Sequence, residues 1–499
     1  MNPSPAYDAL VAHHRRVHDL EHLQAIATWD RMTHMPPAGG PARAAAQAAL
    51  AVLIKQLQAE PTLALQFDAA VHEPLQGDAA LNFARMRQAR RIEAAIPAAL
   101  AERRELATGA AMQAWGRARQ DDNWDTFADA WAPVVAVTRE SATRLGDALG
   151  LQPMDALLER WEPGLRIARV NALFAQVQGW LPPLLERALA AQANSPPPLE
   201  PVGPFPAAAQ QRLCEQVMAL LGFDFDAGRL DTTQHPFTGG VPEDVRMATR
   251  FDESNFLPAL MGTIHETGHS RYQQNLPRAW LGQPLAGPHS AALHEGQALI
   301  FERQLAPEPA FCQLLAPLLH QAFGSQAAFE PDNLARLLRR IRPGTIRVAA
   351  DELTYPLHVI VRVEIEQALV AGEIAVRDVP AWWHERMQAA LGVGPQGAFS
   401  QGPLQDPHWV HGMFGYFPAY LLGAMVAAQC FAALRREVPD LQTQVAAGNC
   451  GPLGDWLAPR IWQQGARHDL DAMLQQATGE PLSAAALRAQ LEQRHGRVH

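Results

Sequence analysis

Leu260–Gln273 reads LMGTIHETGHSRYQ. Two histidines, His265 and His269, stand four residues apart, and Glu266 directly follows the first. Leu257, Leu260, Met261 and Ile264 supply an apolar stripe at helical spacing. Ser254 or Asn255 can cap the segment, Pro258 fits its first turn, and Pro277 closes it. The motif therefore sits inside a helix. At about 100° per residue the two imidazoles lie about 40° apart and one turn along, so both can reach one cation. Glu266 projects beside them and can touch a metal-held water without ligating the metal. That is the physical content of the HExxH pattern. Zinc brings the pKa of its water towards about 7, and a neighbouring carboxylate can take the proton.

Five residues of pattern arise by chance in helical proteins, and a catalytic zinc site needs a third protein ligand with a fourth position open. A metzincin would place glycine and histidine three and six residues after His269. Tyr272 and Asn275 stand there, which excludes that class. The next segment, GPHSAALHEGQALIFERQL (Gly287–Leu305), offers alternatives. Gly287 and Pro288 make a turn, Ser290 can cap a helix, and His294 and Glu295 fall early on it. Chemistry alone does not choose between those two. Glu302 shares a face with Glu295 and reads more simply as a solvated side chain. Gly296 has no side chain, so another helix or a substrate can approach closely.

Working outward, helical patterning dominates the chain. Tyr7–Asp30 carries Leu10, Val17, Leu20, Leu23 and Ile26 near helical spacing, and MPPAGGPARA breaks it. Ala/Leu-rich segments continue to Ala193. Asn194–Gln210 is proline-rich and reads as a linker or long surface loop. Asp231–Thr249 has turn residues and short β-like pieces, the best place for a small sheet. The expected architecture is nearly all-α, with a deep cleft and one small β-sheet beside it. Residues 1–499 form a single unit, in which 1–193 make a helical wall or lid and 207–499 carry the metal.

Net charge is −10, which disfavours general affinity for nucleic acid or anionic membrane. The N-terminus has no apolar signal core. The most apolar stretch, YFPAYLLGAMVAAQCFAAL, reads as a buried helix because Pro418, Gly423 and Gln429 interrupt it. Four scattered cysteines make no disulfide scaffold and fit a reduced, cytoplasmic compartment. His13, His14, His18 and His22 have helical spacing but no completing carboxylate, so a solvated face is expected.

The sequence resembles the carboxypeptidase Taq family over nearly its whole length. HETGH is followed by HEGQ. IRVAAD spans Ile346–Asp351, GPLQDPHW spans Gly402–Trp409, and HGMFGYFPAY follows. Trp29, Asp30, Met35, Pro36, Pro37, Gly39 and Arg43 match an N-terminal signature, and HPFT occurs at His235–Thr238. In DVRMATR, Asp244 and Arg246 match, but Ala248 replaces the usual threonine. The resemblance implies a metallocarboxypeptidase in which His265, His269 and Glu295 hold one divalent ion, zinc with cobalt or manganese able to substitute. It makes Glu266 the general base and His294 a substrate contact or a residue that orients a ligand. It also implies broad specificity on peptides, poor release of C-terminal proline, and a homodimer.

An enzyme acting at a free C-terminus must recognise a carboxylate, and the planar arginine fork suits it. Read alone, Arg347 and Asp351 make an ordinary i,i+4 pair on one helix face. The resemblance instead implies that Arg347 receives the terminal carboxylate. The glycine- and proline-broken loop from Gly402 crowds polar and aromatic groups together, as functional loops do. His408 and Tyr416 are the expected donors to the oxygen that develops charge, with Tyr420 next in line. Gln405 and Asp406 are expected substrate contacts, and His411 fits a core position equally well. Two other readings compete. An endo-acting zinc oligopeptidase would ignore amidation of the peptide end, and a helical scaffold with a degenerate motif would hold no metal.

Overall fold

A computed structural model describes residues 4–233, 237–394 and 398–496. The first half is helical: α1 (Pro5–Thr33), α2 (Gly40–Gln58), α3 (Thr62–Ala70), α4 (Gly77–Ala94), α5 (Ala98–Asp121), α6 (Trp124–Leu149), α7 (Pro153–Leu158) and α8 (Ile167–Ala193). After the proline-rich stretch comes α9 (Ala207–Leu220). Three strands follow, β1 (Gly228–Thr232), β2 (Phe237–Val241) and β3 (Asp244–Thr249), in the order β1-β3-β2. β3 pairs parallel to β1 and antiparallel to β2. Helices then resume with α10 (Leu257–Gln274), α11 (Ala291–Leu299), α12 (Pro309–Phe323), α13 (Pro331–Leu338), α14 (Tyr355–Ala371) and α15 (Val379–Leu391). They end with α16 (Pro418–Glu437), α17 (Leu441–Ala446), α18 (Gly451–Arg460), α19 (Leu470–Thr478) and α20 (Ala485–His495).

The nearly all-α expectation holds, as does the position of the small sheet. His235 and Pro236 of HPFT lie outside the described residues. One continuous core runs from Ala111 on α5 to Leu491 on α20. Helices α1–α4 pack instead through two smaller clusters, one around Tyr7, Leu10, Phe83 and Met86 and one around Val17, Ile54 and Leu57. A cavity of about 660 Å³ opens between this group and the segment after α10, lined by His13, His14, His18, Gln273 and Pro288 among others. The N-terminal histidines therefore do not form a solvated face. Three of them line this cavity, and His22 lies 3.7 Å from Asp244. His13, His14 and His18 half-bury against α3, α4 and the segment around Gly282, and nearer its C-terminal end α1 packs along the sheet, where Trp29 Nε1 donates to Asp231 (2.8 Å) and its ring meets Phe237 at a tilt.

Helix α16 is the one described helix long and apolar enough to cross a membrane, and most of it is buried in the core. Cys214, Cys312, Cys430 and Cys450 are free and buried. Burial pushes Cys214 and Cys450 up to about 11, and Cys312 and Cys430 up to about 12.

Candidate active site

Helix α10 carries His265, Glu266 and His269. Leu260 and Ile264 of the expected stripe are fully buried, so the opposite face is turned to the site. The helix begins one residue later than the capping chemistry suggests, with Asn255 Oδ1 accepting from the Leu257 amide at 3.2 Å. Ser290 caps α11 as expected, its Oγ accepting from the Leu293 amide. Sequence reading missed the group beneath that cap. Glu162 is buried against the start of α11 and accepts from Ser290 Oγ and from the Ala292 amide, each at 2.5 Å. Burial pushes its carboxyl up to about 7, while these two donors pull the other way.

Three glycines let the helices close on one another. A Cβ on Gly268 of α10 would lie 2.6 Å from Ala298 Cα of α11. One on Gly296 would lie 2.6 Å from Val426 Cγ1 of α16, and one on Gly423 of α16 would lie 2.8 Å from Glu295 Cγ. The close approach expected at Gly296 is thus made by α16.

The result is a convergence of His265, His269 and Glu295, whose ligand atoms all lie within 4.8 Å of one another. It is the one such group among the described residues. His269 Nε2 stands 3.7 Å from Glu295 Oε2. Glu295 belongs to the group, whereas His294 stacks its ring on His269 at 4.3 Å and 14°. Burial lowers His294 to about 4, with His265 adding repulsion, so the ring is neutral. Glu266 is half-buried beside the group and makes no hydrogen bond among the described residues.

Glu302 is not solvated, which corrects the sequence reading. The helix passes from α11 directly into a π-helical turn, Ile300–Leu305. Glu302 lies in this turn, and its Oε2 lies 2.8 Å from His265 Nδ1. Its other oxygen lies 3.0 Å from Arg303 Nε. Burial opposes charge on Glu302, but Arg303 and His265 outweigh it and hold the carboxyl at about 2. With Nδ1 committed to Glu302, His265 presents Nε2 to the centre, the arrangement that orients metal-binding histidines. Burial also opposes charge on His265, yet Glu295, Glu302 and Glu266 push its pKa up to about 10. Two imidazoles and a buried carboxylate in so negative a field fit a divalent cation.

A second cluster adjoins the first. Arg347 lies on a short 3₁₀ turn, Arg347–Ala349, and not on an α-helix. The i,i+4 pair with Asp351 is therefore absent: Asp351 instead accepts from the Leu353 and Thr354 amides ahead of α14. Arg347 Nε and Nη2 donate to Asp406 Oδ1 at 3.0 and 2.8 Å, and Nη1 donates to Tyr355 Oη at 2.9 Å. Arg362, also unforeseen, donates to Asp406 Oδ2 at 2.6 Å from a fully buried position. Burial opposes charge on Asp406, but the two arginines hold its carboxyl far below the ordinary range. Gln405 accepts from the Arg347 amide and donates to Thr345 O. The polar atoms of Gln405 and Asp406 thus face Arg347 and its turn.

Tyr420 lays its ring 4.8 Å from the Arg347 guanidinium carbon, and its Oη lies 2.9 Å from His408 Nε2. Burial lowers His408 to about 3, with Arg347 adding to the effect, so it is neutral. Tyr416 packs edge-on to Trp161 and lies beside Tyr420, its hydroxyl pushed up to about 12 by burial and by the field of Glu295. His411 is exposed and plays no core role. Glu366 pins the loop, accepting from Trp409 Nε1 (2.9 Å) and the Gly415 amide (3.0 Å).

Residues 9–495 match the family model described as carboxypeptidase Taq (M32) metallopeptidase. Thermostable carboxypeptidase 1 of Thermus thermophilus is 35% identical across the whole of both chains. Carboxypeptidase 1 of Bacillus subtilis is 31% identical over 97% of each. Among solved structures, Trypanosoma cruzi metallocarboxypeptidase 1 superposes with a TM-score of 0.96 at 38% identity, covering 99% of this chain and all of that one. The M32 carboxypeptidase of Deinococcus radiodurans gives 0.92 at 29% identity, with 99% and 100% covered.

Proposed function

The chain belongs to the carboxypeptidase Taq (M32) metallopeptidase family and is a metal-dependent carboxypeptidase, and from that premise we propose how its residues divide the work. His265, His269 and Glu295 hold one zinc ion, for which cobalt or manganese can substitute. When bound, the ion supplies Lewis acidity, polarising the scissile carbonyl and acidifying water. The observation that carries this reading is the convergence of three ligand atoms within 4.8 Å, with Glu302 fixing the tautomer of His265.

Glu266, unbonded beside the group, takes the proton of the attacking water and returns it to the leaving amine. Arg347 receives the terminal carboxylate. Its Nε–Nη2 edge is occupied by Asp406, so the free Nη hydrogens make the contact while Asp406 and Tyr355 hold the guanidinium still. Each such charge-assisted bond contributes about 1.5–3 kcal/mol net, enough to favour a chain end over an internal peptide. Tyr416 remains protonated at neutral pH and, with neutral His408 steered by Tyr420, donates to the developing oxyanion. His294, stacked on His269, orients that ligand or meets the substrate. Specificity is broad, with C-terminal proline released poorly. The enzyme acts on peptides in the cytoplasm as a homodimer, with the helices of residues 1–193 forming a wall or lid over the substrate.

A free peptide and its C-terminally amidated twin test this directly. Amidation should abolish cleavage, and Glu266→Gln should abolish cleavage of the free peptide while leaving bound metal in place. Equal rates on the two peptides would establish an endo-acting enzyme, and hydrolysis retained by Glu266→Gln would remove the assigned base.

A further inference from the structure

The π-helical turn that delivers Glu302 to His265 needs support of its own, because a π register leaves carbonyls without their usual α-helical donors. The support comes from the far end of the chain. Arg494, in the last turn of α20, donates from Nη1 to Arg303 O at 2.8 Å and from Nη2 towards Gln304 O at 3.5 Å. Both carbonyls belong to the turn. The same guanidinium grips Glu352 Oε2 at 2.6 Å and Glu308 Oε1 at 3.0 Å. Its side chain is 4% exposed. His495 Nε2 lies 2.7 Å from the other Glu352 oxygen, and Gln490 bridges Gln304 and Glu352. Glu352 in turn attracts Arg303, the partner of Glu302.

We infer that Arg494 is a positioning residue for the metal centre: by holding the Ile300–Leu305 π turn, it aims Glu302 at His265 Nδ1. The inference rests on the metal assignment proposed above. A simple helix-docking role for α20 would require an ion pair with Glu308 or Glu352 only. The contacts to two carbonyls within the turn are what tie Arg494 to the register of Glu302.

The test uses the full-length protein and zinc alone as the probe, with affinity read by chelator competition and geometry by the visible spectrum of the cobalt form. Arg494→Gln should weaken zinc binding about tenfold, the scale of losing a contact that orients a ligand, and should shift the cobalt bands. Glu302→Gln should do the same, and the double variant should bind zinc no more weakly than Glu302→Gln alone. Arg494→Lys retains the buried charge, and with it the fold, but lacks the two-armed fork, so its cobalt bands should also shift. Arg488→Gln, which removes an exposed pair with Glu492 on the same helix, should leave zinc affinity unchanged. Unshifted cobalt bands in Arg494→Lys, parental zinc affinity in Arg494→Gln, or additive losses in the double variant would overturn the inference. Failure of the parent protein to bind zinc would instead overturn the metal assignment.

Discussion

The contact between Gly423 and Glu295 is the most sensitive point of the site. A methyl group on residue 423 would sit 2.8 Å from Glu295 Cγ, 2.9 Å from its Cβ and 3.2 Å from Ala292 O. Non-bonded carbons settle at about 3.5–4.0 Å, so either Glu295 retreats by about 0.7 Å or α16 lifts by the same amount. Metal–ligand distances tolerate only about 0.2 Å. Gly423→Ala should therefore lower zinc affinity by tenfold or more, in line with about 10-fold for a merely misoriented ligand, and should cost about 1–3 kcal/mol of stability from overpacking. Chelator competition measures the first and urea unfolding of the metal-free protein the second. Gly296→Ala provides the contrast. Its methyl would meet Val426 Cγ1 at 2.6 Å and push on α16 without touching a ligand atom. It should lose stability while binding zinc better than Gly423→Ala does, and Val426→Ala should restore it. If Gly423→Ala binds zinc as tightly as the parent, or if Gly296→Ala binds it more weakly than Gly423→Ala, the helix seam does not set the ligand position.

Asp406→Asn would leave Arg347 and Arg362 buried without their shared anion, so unfolding free energy should fall by about 3–5 kcal/mol; an unchanged denaturation midpoint would refute this. Burial pushes Glu366 from 4.5 up to about 8 despite its two donors. A carboxyl raised in the fold contributes stability that is complete below its unfolded value and is lost as pH climbs through about 8. Glu366→Gln should therefore flatten the decline of stability between those limits in pH-dependent melts, and a slope identical to the parent's would refute it. In the metal-free protein His265 is protonated at neutral pH, its pKa raised to about 10 against burial by Glu295, Glu302 and Glu266. Zinc must displace that proton, so binding should release about one proton and strengthen about tenfold per pH unit; calorimetric heats that do not vary with buffer ionisation enthalpy would refute it.

The helix with the two histidines was legible because its chemistry and its period coincide: four residues bring His269 over His265 in any α-helix. The sheet was legible from turn residues, and the Ser290 cap from its position before an apolar run. Glu302 was misread as solvated although the helical wheel placed it on the face of Glu295: nothing in the sequence shows that α11 continues into a buried π turn, where this carboxylate meets His265. Read alone, Arg347 and Asp351 resemble a helix pair because their spacing permits it, whereas Asp351 closes the turn ahead of α14 instead. Glu162, Tyr355 and Arg362 carried no local signal. Glu162 reaches the site across 128 residues to Ser290, and Arg362 meets Asp406 across 44. Contacts of that range are fixed by packing, which a one-dimensional pattern does not encode.

All four native thiols are inert at neutral pH, and this makes the chain a ready host for site-directed labels. A cysteine placed at Leu65 on α3 and another at Leu106 on α5, both strongly exposed positions, would be the sole groups to react with a maleimide. One probe would ride on the α1–α4 group and the other on the main core, across the packing boundary. Fluorescence transfer or spin-echo distances between them would then report directly, in solution and without removing any native residue of the site, how far apart those two bodies stand as peptide is added.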